Sequence, residues 1–180
     1  MITNILSYLE DSALKYANKT AIADDKNSLT FSEWNRFSRN IGTAIANVSG
    51  GALRKPVLVF VDRRIEGLVG FMGVVQSGNF YVPIDCKMPD QRVKLIADVL
   101  NPIAAITVTD KDEKILDLID FRGARFCYDK VIATESGDAK LAGIREQMID
   151  TDPVYSIFTS GSTGAVSYTH LRAHETRRHL

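Results

Sequence analysis

Val57-Leu58-Val59-Phe60-Val61 is five apolar residues in a row, the pattern of a strand buried on both of its faces. Strands of that kind belong to parallel sheets covered by helices. Immediately after it, Ile65, Leu68, Val69, Met72 and Val75 recur at helical spacing up to Ser77. That helix also carries Gly67, Gly70 and Gly73, each costing roughly 1 kcal/mol against alanine in a helix interior. A row of glycines three apart is expected where one face lies tight against sheet or helix, and this reading is preferred to a ligand role. Gly78 suits the helix end.

Outward toward the N-terminus, a helix is expected after Ser32, read as its N-cap, with Trp34, Phe37, Ile41, Ala44, Ile45 and Val48 on one face. Gly50-Gly51 ends it. An earlier helical stripe, Ile5, Leu9, Ala13 and Tyr16, runs from Asn4 to Ala17. Outward toward the C-terminus, Pro89 suits the first turn of a helix reaching about Leu100. Ile103 to Thr109 reads as a strand, Asp112 to Ile119 as a short helix, and Ala124 to Tyr128 as another strand. Residues 129–152 have weak periodicity and are expected to be loop with one helical stretch. Helices alternating with apolar strands predict an α/β fold whose sheet is mostly parallel and flanked by helices.

The chain has 180 residues, enough for one ordinary domain or part of a larger one. Its 22 basic and 22 acidic residues balance, so no field draws it to nucleic acid or anionic lipid. No apolar run is long enough to cross a bilayer. Glu10 and Asp11 interrupt the short N-terminal apolar stretch, so no signal peptide is expected and the cytoplasm is the expected compartment. Cys86 and Cys127 lack metal-ligand spacing and are expected to be buried thiols.

The stretch that carries chemistry is Tyr155-Ser156-Ile157-Phe158-Thr159-Ser160-Gly161-Ser162-Thr163-Gly164. A strand from Val154 to Thr159 empties into a run of glycines and small hydroxyl-bearing residues. Such a loop can press backbone N–H groups and hydroxyls against a phosphate chain, because nothing bulky intervenes. A Walker A loop is excluded, since no lysine follows Gly164, and the Gly-x-Gly-x-x-Gly dinucleotide fingerprint is absent.

Thr159 to Ala165 resembles the phosphate-binding signature of the adenylate-forming (AMP-binding) enzymes, which include acyl- and aryl-CoA synthetases, nonribosomal-peptide adenylation domains and D-alanine–carrier protein ligases. Gln76-Ser77-Gly78-Asn79-Phe80-Tyr81-Val82-Pro83-Ile84-Asp85, followed by Pro89 and Arg92, is similar to a stretch of the amino-acid-activating branch. Leu29-Thr30-Phe31-Ser32-Glu33 is similar to the family's Leu-Thr-Tyr-x-Glu. The blocks occur in the family's order and cover residues from about 29 to 165. Asp85 is read as a turn or cap residue, and Arg63 and Arg64 as a solvated loop.

The resemblance implies the front portion of the large N-terminal domain of such an enzyme, residues 1–165. It further implies ATP with Mg²⁺, a carboxylate substrate such as an amino acid, an acyl adenylate, and transfer to the phosphopantetheine thiol of a carrier protein. Thr159, Ser160, Gly161, Ser162, Thr163 and Gly164 would hold the β- and γ-phosphates. No catalytic residue and no protein metal ligand is assigned, because Mg²⁺ favours phosphate oxygens, and the family's catalytic lysine lies further along. The chain as written is therefore expected to form no adenylate. Tyr81-Val82-Pro83-Ile84-Asp85 favours amino-acid activation. Met1 lies close ahead of the first helix, which favours a free-standing ligase or an initiating peptide-synthetase module, and Cys86-Lys87 after Asp85 favours the stand-alone type. The alternatives are an acyl-CoA synthetase-like ligase and a non-catalytic nucleotide-binding α/β domain. The native residue at the loop-lysine position, with the distal lysine, would separate binding from turnover.

Where the family continues Pro-Lys-Gly, this chain has Val166-Ser167-Tyr168. All three histidines, His170, His174 and His179, follow within residues 166–180 with little apolar content. This tail is expected to be non-native adapter or read-through sequence, with divergence at Val166.

Overall fold

The computed structural model describes residues 4–160 and 166–172, with side chains described as far as residue 158. The first helix, α1 (Ile5–Lys15), is capped by Asn4, whose side chain accepts from the Leu6 N–H. It buries Leu6 and Leu9 and leaves Tyr16, the last member of the expected stripe, exposed. A small antiparallel hairpin follows, β1 (Thr20–Ala23) and β2 (Ser28–Thr30). The Asp24 carboxylate ties its turn by accepting from the Lys26 and Asn27 N–H groups, and reaches the Ile65 N–H as well. Those three donors hold the Asp24 carboxyl below the usual carboxylate range.

The next helix, α2 (Phe31–Val48), starts at Thr30 and not at Ser32. Thr30 accepts from the Glu33 N–H while the Glu33 carboxylate accepts from the Thr30 N–H, a reciprocal capping box. Ile41 and Ile45 point inward as expected, but Val48 faces solvent because the helix end runs past the core.

The main sheet then begins. In chain order come β3 (Pro56–Val61), α3 (Ile65–Gln76), β4 (Phe80–Asp85), α4 (Asp90–Leu100), β5 (Ala104–Thr107), α5 (Asp110–Leu118) and β6 (Ala124–Cys127). Two helices, α6 (Tyr128–Val131) and α7 (Asp138–Gln147), occupy the stretch expected to be mostly loop. They lead to β7 (Pro153–Ser160) and β8 (Val166–Arg172). The strand order is β6-β5-β3-β4-β7-β8. The first five run parallel, and β8 lies antiparallel on β7. The expected α/β architecture is observed, with β3 at the centre and fully buried from Val57 to Phe60.

Each sheet face has its own core. On one, Val93 and Ile96 of α4 and Ile115 and Leu116 of α5 meet Leu58, Phe60, Val82 and Phe158. On the other, Ile41 and Ile45 of α2 and Val69 and Val74 of α3 meet Val57, Val59, Ala104 and Ile106. The helix α7 adds Leu141 and Ile144 against Ala46 of α2.

The glycine row in α3 is a packing device, as expected. A Cβ on Gly67 would lie 2.9 Å from Val61 Cγ1, one on Gly70 2.9 Å from Val59 Cγ1, and one on Gly73 2.5 Å from Ile41 Cγ2. The missing side chains let α3 settle onto β3 and α2. Gly78, at φ +73°, closes the helix where an L side chain would be strained.

Candidate functional site

The five parallel strands end on one edge of the sheet, at Val61, Asp85, Thr107, Cys127 and Ser160. The chain leaves β3 toward the α2–α3 face but leaves β4 and β5 toward the α4–α5 face. Loops that part to opposite faces open a crevice at the carboxyl ends of the strands, where ligands of open α/β sheets bind. A cavity of about 380 Å³ lies there, lined among others by Phe60, Val61, Arg64, Glu66, Lys87 and Asp112. Arg64 thus borders a cavity, with Asp62 3.9 Å away, while Arg63 stands exposed with φ 51°. Both lie in the loop between β3 and α3, Arg64 half-buried and Arg63 exposed.

The strand that carries the predicted phosphate loop is β7, beside β4. It is firmly held. At its entry the Arg54 Nε donates to Asp152 Oδ1 at 2.6 Å, and Asp152 Oδ2 accepts from the Ile149 N–H. Along its length Val154 and Ser156 are buried and Phe158 joins the α4–α5 core. The Tyr155 ring stacks on Tyr81 at 5.6 Å, and Tyr81 on Phe71 at 4.1 Å. Burial, with Tyr155 as a lesser cause, pushes the Tyr81 hydroxyl up to about 12. Near the exit, Arg92 Nη2 donates to the Phe158 carbonyl at 3.2 Å.

Thr159 and Ser160 form the end of β7, one residue beyond the expected strand limit, and Ser160 pairs with Val166. Gly161, Ser162, Thr163 and Gly164 lie outside the described residues. The structure therefore places the entry to the loop at the carboxyl edge, and the sequence motif alone speaks for its interior.

Asp85 is a turn residue, as expected: its Oδ1 accepts from the Lys87 N–H at 2.8 Å. The expectation of buried cysteines is corrected. Cys86 and Cys127 are both half-buried, because each sits at a strand end on the open edge of the sheet. Partial burial, then the neighbouring Asp62, raises the Cys86 thiol above its ordinary value, the opposite of a nucleophile's need. Among the described residues no three His, Cys, Asp or Glu side chains gather as metal ligands. No helix among them is long and apolar enough to cross a membrane.

A strand-to-loop phosphate motif at the carboxyl edge of a parallel sheet agrees with the family comparison, in which the AMP-binding enzyme model matches residues 9–173. The chain belongs to the AMP-binding enzyme family. Among curated relatives, it is 28% identical over 174 residues to the D-alanine–D-alanyl carrier protein ligase of Lactiplantibacillus plantarum. The match covers 91% of this chain and 31% of that protein. The ligase of the same name from Staphylococcus aureus (strain JH9) is 26% identical over 165 residues, again covering 91% of this chain and 31% of the relative. The chain thus spans about a third of the length of the AMP-binding relatives it matches.

Solved structures share the fold. The nonribosomal peptide synthetase FmoA3 superposes with a TM-score of 0.75 at 20% identity, over 92% of this chain and 16% of that one. The anthranilate CoA ligase AuaEII, in complex with anthranoyl-AMP, gives 0.78 at 17% identity, over 94% and 35%. At these identities the likeness speaks for architecture alone.

Proposed function

We propose that this chain is the front portion of an ATP-dependent ligase that activates an amino acid as its acyl adenylate and passes it to a carrier-protein thiol. A substrate carboxylate oxygen attacks the α-phosphorus of ATP. The new O–P bond forms as the bond to the β-phosphate oxygen breaks, and pyrophosphate leaves with its electron pair. A thiolate then attacks the acyl carbon, giving a thioester and releasing AMP.

The observation that carries this reading is Thr159-Ser160-Gly161-Ser162-Thr163-Gly164 at the end of the clamped strand β7, within a chain of the AMP-binding family. In the proposed role, N–H and hydroxyl donors of these six residues hold the β- and γ-phosphates as negative charge shifts onto the leaving pyrophosphate. Mg²⁺ brought with the nucleotide would supply further charge neutralisation at the phosphates. The D-alanine–D-alanyl carrier protein ligases among the relatives support an amino acid as substrate and a carrier protein as acceptor. The cytoplasm, where ATP is available, is the compartment that fits.

Residues 1–165 are proposed as family sequence and 166–180 as non-native. The backbone pairing of β8 with β7 is compatible with that, since ladder hydrogen bonds are made by main chain and Val166, Tyr168 and Thr169 are good strand formers whatever their origin. Genomic sequencing across codon 165 tests it. A Pro-Lys-Gly continuation is expected, and a native frame reading through His170, His174 and His179 would overturn it.

The function is tested by ATP–pyrophosphate exchange on the complete gene product with a panel of D- and L-amino acids and of fatty and aryl acids. Exchange dependent on an amino acid is expected, with D-alanine first on the panel. Exchange only with fatty or aryl acids would replace the amino acid by another carboxylate. Nucleotide binding without exchange would leave a binding domain.

A further inference from the structure

We propose that Arg92 is a positioning residue for the phosphate-binding end of β7, acting through the Phe158 carbonyl and supplying a fixed positive charge beside it. The inference rests on the function proposed above and assigns a role to a residue outside the loop. Arg92 is the third residue of α4, in the first turn after Pro89. Its Nη2 donates to the carbonyl of Phe158 at 3.2 Å, and the next residue in the chain is Thr159, the first of the predicted phosphate ligands.

The surroundings of the guanidinium are unusual in this protein. Among the described residues, Arg39, Arg64 and Arg145 are the other half-buried arginines, and each has a carboxylate within 4 Å, from Asp138, Asp62 and Glu10 respectively. Arg92 has none among the described residues, and its Nε is enclosed without a hydrogen-bond partner. A partly desolvated cation without a counter-charge is unfavourable. The unfavourable term is relieved when an anion binds nearby, and one residue further along β7 begins the motif proposed above to hold a polyphosphate. The planar, rigid fork can serve both ends at once. One arm on the main chain fixes where the strand ends, while the delocalised charge remains available to the ligand's field.

A purely structural arginine would predict a general loss of activity and stability. A positioning arginine predicts a selective effect on the nucleotide. The experiment is steady-state ATP–pyrophosphate exchange by the complete gene product, wild type against R92M and R92K, with the Michaelis constants for ATP and for the carboxylate substrate measured separately. R92M is expected to raise KM for ATP by about tenfold or more, the scale of a lost charged hydrogen bond, with KM for the carboxylate within about twofold. R92K keeps the charge but not the fork and is expected to raise KM for ATP by about threefold. If R92M does not fold, R92K decides alone, and an unchanged KM for ATP overturns the proposal. Equal rises in both constants for R92M, or an ATP constant within about twofold of wild type, also overturn it while leaving the functional reading intact. Absence of exchange in the wild type defeats the functional reading, and this inference with it.

Discussion

Gly73 of α3 faces Ile41 of α2 so closely that a Cβ at position 73 would stand 2.5 Å from Ile41 Cγ2 and 2.6 Å from Ile41 Cβ. The Ser38 carbonyl, 3.3 Å away, closes the same space. Both neighbours sit on a packed helix and cannot swing aside. Gly73→Ala gains about 1 kcal/mol of helix propensity but overpacks the α2–α3 seam at about 1–3 kcal/mol. The expected result is a net loss of stability in urea unfolding. A stabilised variant would show that the two helices can part freely.

Gly143 of α7 is the opposite case, since nothing lies within 4 Å of a Cβ built there. Gly143→Ala removes backbone freedom from the unfolded chain without meeting a neighbour, so it is expected to stabilise by about 0.5–1 kcal/mol. A rise in the urea midpoint with an unchanged slope confirms it, and a fall contradicts it.

Tyr81 gives the fold an alkaline limit. Its ring lies between Phe71 and Tyr155, and its hydroxyl is pushed up to about 12 from an ordinary value of 10.0, mainly by burial. The folded value is the raised one. The contribution is therefore fully present below pH 10 and is lost as pH rises toward 12, where the unfolded chain ionises first. Over that window this group removes about 2–3 kcal/mol. Tyr81→Phe keeps the stack and removes the titrating group, so wild type and variant should diverge in unfolding midpoint only above about pH 10. Parallel pH profiles would contradict the burial of that hydroxyl.

The sheet is legible in the sequence because its strands are marked by composition: Val57 to Val61 has no polar residue, and only a strand covered on both faces tolerates that. The glycines of α3 are equally legible, since their spacing makes sense only against a surface. The hairpin β1–β2 is not, because strands of four and three residues carry too little alternation, and a side chain, Asp24, holds the turn. The start of α2 lies at Thr30 and not at Ser32, and the capping-box spacing of Thr30 and Glu33 is the signal in the sequence that marks it. The helices α6 and α7 are hidden for a different reason. In α7 only Leu141 and Ile144 are buried, so the helix has no full apolar stripe. At the candidate site the motif marks the loop, while Arg92 is visible in the sequence only as part of a family pattern; its bond to Phe158 joins residues 66 apart and needs the fold.

The most direct test of the central claim is the ATP dependence of pyrophosphate exchange in the complete gene product when loop hydroxyls are removed together, as Ser162→Ala with Thr163→Ala. In the proposed role two donors to a charged phosphate are lost, so kcat/KM for ATP should fall by about 10²-fold or more while the folded protein keeps its unfolding midpoint. Undiminished exchange in that double variant would contradict the account, because the phosphates would then be held elsewhere.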